Sequence, residues 1–201
     1  MTMSLNVSAF DMAHLHTDVN VAVVMGRRGA GKTHMLKHMM RLLVEQGITR
    51  FAIFTPTVGD WQSNVHEPTI ENLRRSWEDQ KNFARDASSH LVIMMDSCGF
   101  KKQIMNSSVM HDILHNARFH HTTLLISITN TGDLTPALRH RVDAFFMFTS
   151  DIQSELAKVH DAFFYFLYTP SILSKVLKAV DSDDHTALVA HAGHAFHYKA
   201  V

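Results

Sequence analysis

The run GRRGAGKTH, Gly26 to His34, follows the apolar stretch VAVVM without a break. Gly26, Gly31, Lys32 and Thr33 satisfy the pattern G-x-x-x-x-G-K-[ST], and each residue type has a chemical reason. Gly26, Gly29 and Gly31 let the backbone curl until several N–H groups point into one concavity, which suits the oxygens of a phosphate chain. A helix starting at Lys32 adds its positive N-terminal end. The Lys32 ammonium reaches the β- and γ-phosphates, and the Thr33 hydroxyl is a ligand for Mg²⁺. The chemistry expected of Gly26, Arg27, Arg28, Gly29, Ala30, Gly31, Lys32, Thr33 and His34 is binding of a nucleoside triphosphate with its magnesium ion. No Asn-Lys-x-Asp guanine motif appears, which favours ATP over GTP.

A second acidic group stands further along, at the end of Leu91-Val-Ile-Met-Met95-Asp96. In an open α/β sheet, ligands sit at the C-terminal ends of the strands, so a carboxylate there can hold the magnesium that bridges the phosphates. An aspartate capping the loop after a strand is the plainer alternative. The next residue is Ser97, and serine is no base at neutral pH. Either another residue positions the attacking water, or hydrolysis is slow without partners. Cys98 reads as a packed thiol beside the site rather than a nucleophile.

Positioning these groups requires strands that alternate with helices. Asn20–Met25, Arg50–Phe54, His90–Met95, Thr122–Thr129 and Val142–Thr149 are short apolar runs of strand length. Between and after them lie helical patterns at Lys32–Gln46, Thr69–Ala87, Ile104–Phe119, Ile152–Leu167 and Ser171–Val180. The end, HTALVAHAGHAFHYKA, reads as a hairpin around Gly193. The expected fold is α/β, of the P-loop NTPase type: a largely parallel sheet of about five core strands flanked by helices, with a C-terminal β-hairpin. Residues 1–201 are expected to form one domain, with its core at about 18–150 and the last helices and hairpin at 151–201.

Composition sets limits. The 201 residues are 46% hydrophobic and 19% charged, which are values of a chain that builds a packed core. The 19 basic and 19 acidic side chains cancel, so net charge gives no hint of nucleic acid, although a ring can focus charge on a few loops. Neither a signal peptide nor an apolar run long enough to cross a bilayer is apparent. The single cysteine, Cys98, permits no intrachain disulfide, and a reducing intracellular setting is expected.

The order GRRGAGKT, LVIMMDSCGFKK, NARFHHTTLLISITN and LTPALRHRVDAFFMF resembles the FtsK/HerA-like ATPases that package viral genomes, the poxvirus-type packaging ATPases. The matching positions are Asp96 with Cys98-Gly99, Arg118 with His120, Asn130, Pro136 to Arg139, and Asp143-Ala144-Phe145-Phe146. They cover roughly Asn20 to Ser150. The resemblance implies a motor that hydrolyses ATP and drives double-stranded DNA into a preformed capsid. It implies a homo-oligomeric ring when active, a capsid or portal-vertex partner, and an association with a virion membrane protein. Its place would be the virion or the host cytoplasm at the assembly site, and it would need no small-molecule substrate beyond the nucleotide. Catalytic roles carry over to Lys32, Asp96, Asn130 and Arg118, and magnesium binding to Thr33 and Asp96. Two positions depart from the pattern: Ser97 replaces the usual second acid, and Asn130 stands where glutamine is usual.

Each role has a plainer counterpart. The Asn130 amide can sense the γ-phosphate or merely cap the turn TNTGD. Arg118 can act on a neighbour's phosphates as an arginine finger, or simply answer a helix C-terminus; Arg139 and Arg141 compete for the finger role. Lys101 and Lys102 can touch DNA or face water. The pairs His34/His38 and His111/His115, and the group His185, His191, His194 and His197, are read as surface or packed histidines rather than metal ligands. A small-molecule kinase is the alternative function, with Asp60 as substrate acid and Arg74 and Arg75 as lid cations. A non-catalytic nucleotide-gated switch is a third.

Overall fold

The computed structural model describes residues 7–57, 59, 61, 63–83, 89–98, 101–180 and 185–201, without the side chains of 14 and 16. The five expected core strands are present. They are β2 (Val21–Met25), β3 (Arg50–Phe54), β5 (Leu91–Met95), β6 (Thr122–Ile128) and β7 (Ala144–Met147). All of them run parallel. The described residues add two-residue edge strands, β1 (Ser8–Ala9) and β4 (Val65–His66), and the hairpin of β8 (Thr186–His191) and β9 (His194–Lys199). The sheet order is β1-β9-β8-β7-β2-β6-β5-β3-β4. Its centre is β2, with β6 and β7 on either side.

The strands are apolar on both faces because helices cover both faces. Alternate residues of one strand feed two separate cores. Val21, Val23 and Met25 of β2 meet the helices α3 (Ile70–Phe83), α5 (Ser108–Asn116), α7 (Gln153–Phe163) and α8 (Pro170–Val180). Ala22 and Val24 point the other way, onto Met35, Leu36, Met39 and Leu43 of α2 (Lys32–Glu45). The remaining short helices are α1 (His14–Thr17), α4 (Lys102–Met105) and α6 (Pro136–Arg139).

Two expectations are refined and a third is met. The pattern over Ile104–Phe119 is not one helix. Ser107, extended at φ −71° and ψ 153°, breaks it and caps α5 by accepting from Met110 N–H, and the stretch ends in a 3₁₀ turn, Ala117–His120. Serine competes with the helix for backbone hydrogen bonds, so an apolar stripe with a serine in it reads longer than it is. The Ile152–Leu167 pattern likewise ends as an α-helix at Phe163 and finishes in a 3₁₀ turn. The hairpin forms as expected, through Ala192 and Gly193 at φ 49° and 76°, and it extends the sheet antiparallel to β7.

Candidate functional site

Parallel strands deliver their C-terminal ends to one edge, and that edge carries the chemistry. The Gly26 N–H donates to Ile128 O at 3.2 Å, so the glycine loop springs from the junction of β2 and β6. Gly29 and Gly31 take φ of 81° and 92°, the left-handed region where a side chain is strained. The curl aims the loop's own carbonyls inward as well. Lys32 Nζ donates to Gly26 O at 2.8 Å and Arg27 O at 3.0 Å. Burial pushes this ammonium below the usual lysine value, while the carboxylates of Asp96 and Asp133 pull it back up.

Asp96 lies at the end of β5, 2% exposed. Neutral donors surround it. Thr33 Oγ1 donates to Oδ2 at 2.8 Å and Trp61 Nε1 donates to the same oxygen at 3.2 Å. Ser127 Oγ donates to Oδ1 at 2.7 Å, and Ser97 Oγ reaches Oδ1 at 3.4 Å. Thr33 and Asp96 are thus 63 residues apart in sequence and in direct contact in space. A hydroxyl and a carboxylate side by side are hard oxygen donors beside a phosphate loop, so the pair fits a magnesium ion.

Trp61 and Ser127 belong to the site although the motifs do not contain them. Trp61 comes from the β3–β4 connection and gave no local signal. Ser127 did leave a trace: it is a polar residue inside the apolar run of β6, and a fully buried hydroxyl needs partners. It has two, since it also accepts from Ser97 N–H at 2.8 Å.

A cavity of about 410 Å³ flanks the loop, lined by Arg27, Arg28, Gly29, Phe148, Thr149 and His185. The His185 ring lies against His34, with ring centroids 4.3 Å apart and the planes tilted by 34°. A Cβ on Gly31 would lie 2.7 Å from it, so the start of β8 closes over the glycine loop. Burial and the adjacent His185 push His34 below the usual histidine value.

The other candidates are distributed as follows. Asn130 is exposed at the end of β6, and its amide oxygen accepts from Gly132 N–H at 2.9 Å, the turn-capping arrangement. Arg118 sits in the 3₁₀ turn before β6, at the opposite edge of the sheet. The seven residues of β6 separate it from the loop, roughly 20 Å at the rise of a strand, so it cannot reach the nucleotide of its own subunit. Arg139 and Arg141, exposed, lie on the return toward that same far edge before β7. Lys101 Nζ donates to Pro68 O at 3.1 Å, and Lys102 is exposed. Cys98 is fully buried, its thiol pushed up to about 12 by burial and by Asp96, so it is no nucleophile.

The histidine pairs are engaged locally: His38 with Tyr198, and the His115 ring with the His111 carbonyl at 2.8 Å. His191 and His197 bond to the carbonyls of Asp143 and Val7, each at 2.9 Å. Of the kinase candidates, Asp60 lies outside the described residues, as does Gly99 of the resemblance. Arg74 pairs with Glu71 at 3.3 Å. Arg75 lines a cavity with Arg50 and Leu91, the first residues of β3 and β5, at the edge away from the phosphate loop.

No protein-family profile matches the chain. It is 21% identical over 154 residues to uncharacterized protein 075L of Invertebrate iridescent virus 6, spanning 69% of this chain and 57% of that protein. Among solved structures it is similar to B204, the DNA-packaging ATPase of Sulfolobus turreted icosahedral virus, with TM-score 0.70 and 16% identity over 90% of this chain and 98% of that one. The B204 NTPase of Sulfolobus turreted icosahedral virus 2 in complex with ATP-γS gives TM-score 0.70, 16% identity and coverages of 91% and 98%. The conjugation coupling protein TcpA of pCW3 gives TM-score 0.64 at 8% identity, covering 96% of this chain and 69% of that one. At such identities the likeness is one of fold, and it agrees with the α/β fold with a largely parallel sheet expected from the sequence.

Proposed function

We propose that the protein is a magnesium-dependent ATPase that drives double-stranded viral DNA into a preformed capsid. The observation that carries the ATPase half is the 2.8 Å contact between Thr33 Oγ1 and Asp96 Oδ2, which joins two separate motifs into one metal-and-phosphate site. The likeness to a viral DNA-packaging ATPase over 98% of its length supports the packaging half.

The glycine loop binds the phosphates through its N–H groups and the N-terminal end of α2. Lys32 exchanges its two loop carbonyls for the β- and γ-phosphate oxygens. Thr33 and Asp96 would hold magnesium, which when bound neutralises charge developing on the phosphates. Arg118 lies at the far edge from its own site, so as an arginine finger it acts on the next subunit of a homo-oligomeric ring, while Arg139 and Arg141 remain its competitors. Asn130 senses hydrolysis only by giving up its bond to Gly132. A capsid or portal-vertex protein completes the machine, which works at the viral assembly site as one ATPase domain per chain. The kinase alternative loses support, because Arg75 lies at the wrong edge.

Steady-state ATP hydrolysis, followed across protein concentration with and without double-stranded DNA, tests this reading. The rate per subunit should rise with both, and Lys32→Ala should abolish it. Hydrolysis that ignores DNA and concentration while an added nucleoside becomes phosphorylated would establish the kinase instead.

A further inference from the structure

The reading as an ATPase leaves the attacking water without a base. Ser97 holds the position where a second acid is expected, at φ 56°, with its N–H bound to Ser127. Asp96 has both oxygens occupied by Thr33, Trp61, Ser127 and Ser97. Glu155, on α7, accepts from Thr131 N–H at 2.6 Å and pairs with Lys158 at 3.8 Å, one oxygen to each. Asn130 is spent on its own turn.

Asp133 differs from all of these. It closes the 3₁₀ turn Thr131–Asp133 directly after β6. That strand lies between β2, which carries the glycine loop, and β5, which carries Asp96. Thr129 N–H donates to its Oδ2 at 3.2 Å, folding the carboxylate back toward the strand end. Among the described residues no hydrogen bond reaches its Oδ1. Asp133 is half-buried, and it is one of the two carboxylates whose field acts on the Lys32 ammonium, the group that meets the γ-phosphate.

We propose that Asp133 supplies the carboxylate missing at Ser97: it orients the attacking water and accepts its proton. The inference rests on the ATPase reading. The water oxygen forms a bond to the γ-phosphorus. The bond from that phosphorus to the bridging oxygen breaks, and its electron pair leaves on the β-phosphate of ADP. The water proton passes to Asp133 Oδ1 and then to the released phosphate or bulk water. The device moves the base from the end of β5 to the turn after β6, one strand across.

The test compares Asp133→Asn, Asp133→Ala and Lys32→Ala, at the protein and DNA concentrations that give the wild type its highest rate. Asp133→Asn should lower turnover at least a hundredfold, the usual size of a general-base effect, while binding a non-hydrolysable ATP analogue within threefold of wild type. Added formate should speed Asp133→Ala at least tenfold and leave Lys32→Ala silent. Full turnover in Asp133→Asn beside a dead Lys32→Ala overturns the assignment and leaves the ATPase reading standing. Loss of turnover matched by an equal loss of analogue binding also overturns it, because the residue is then structural. Equal turnover in the wild type and Lys32→Ala removes the ATP site itself.

Discussion

Lys32 occupies a place that disfavours its charge. Burial lowers its proton affinity, and two loop carbonyls and two carboxylates only partly offset that. The sign of the consequence follows. Between the depressed folded value and the ordinary 10.5, the unfolded chain holds the proton more tightly. Stability from this group therefore rises as pH climbs through that window. Urea unfolding of Lys32→Met as pH rises toward 10.5 should show a flatter or more falling pH dependence than the wild type. The Cys98 thiol works with the opposite sign: raised to about 12, it contributes stability that is lost as the solution becomes more alkaline. The difference between two proteins that share Cys98 isolates Lys32. At this scale the sequence was informative where residue type and spacing suffice, as at Gly26–Thr33 and Asp96. It was silent on Trp61, whose partner is 35 residues away, because no local pattern encodes a contact made by folding.

Strand position was legible and strand company was not. Five apolar runs with turn residues between them announce a parallel sheet. Nothing in HTALVAHAGHAFHYKA says that its hairpin will pair with β7 and bring His185 over the glycine loop. The motif Asp143-Ala144-Phe145-Phe146 gains a physical reason from the pairing of elements. Asp143 Oδ2 accepts from the N–H groups of Asn20 and Val21 at 2.8 and 2.9 Å, fixing the start of β2 to the start of β7 across more than 120 residues. Asp143→Ala leaves both donors without that partner and should lower unfolding free energy by about 1–3 kcal/mol, read from denaturant midpoints. Because β2 sets the loop, the same variant should also weaken nucleotide binding. A loss of stability with unchanged binding would show that the loop does not depend on this clasp.

The whole molecule divides its chemistry between two edges. The residues proposed to hold phosphate, metal and water gather at the C-terminal ends of the strands, and Arg118 stands at the far edge beside Phe119, which is 77% exposed. A large exposed aromatic next to an arginine is the composition of an interface anchor. Mixing Arg118→Ala subunits with Lys32→Ala subunits should restore part of the ATPase rate that each lacks alone, since a mixed ring contains sites with an intact loop facing an intact arginine. No recovery in demonstrably mixed rings would count against Arg118 as the finger.

The Trp61–Asp96 hydrogen bond carries one more consequence. The chain has two tryptophans, and each indole donates to a carboxylate: Trp61 to Asp96 and Trp77 to Asp112. Only the first carboxylate belongs to the proposed metal site. A cation that takes Asp96 Oδ2 competes with the indole for the same oxygen and alters the polarity around that ring. Trp77 lies against another helix and is indifferent to it. The two tryptophans thus offer a label-free optical test of the proposed site: magnesium should change the emission of Trp77→Phe, in which Trp61 alone emits, and leave that of Trp61→Phe unchanged.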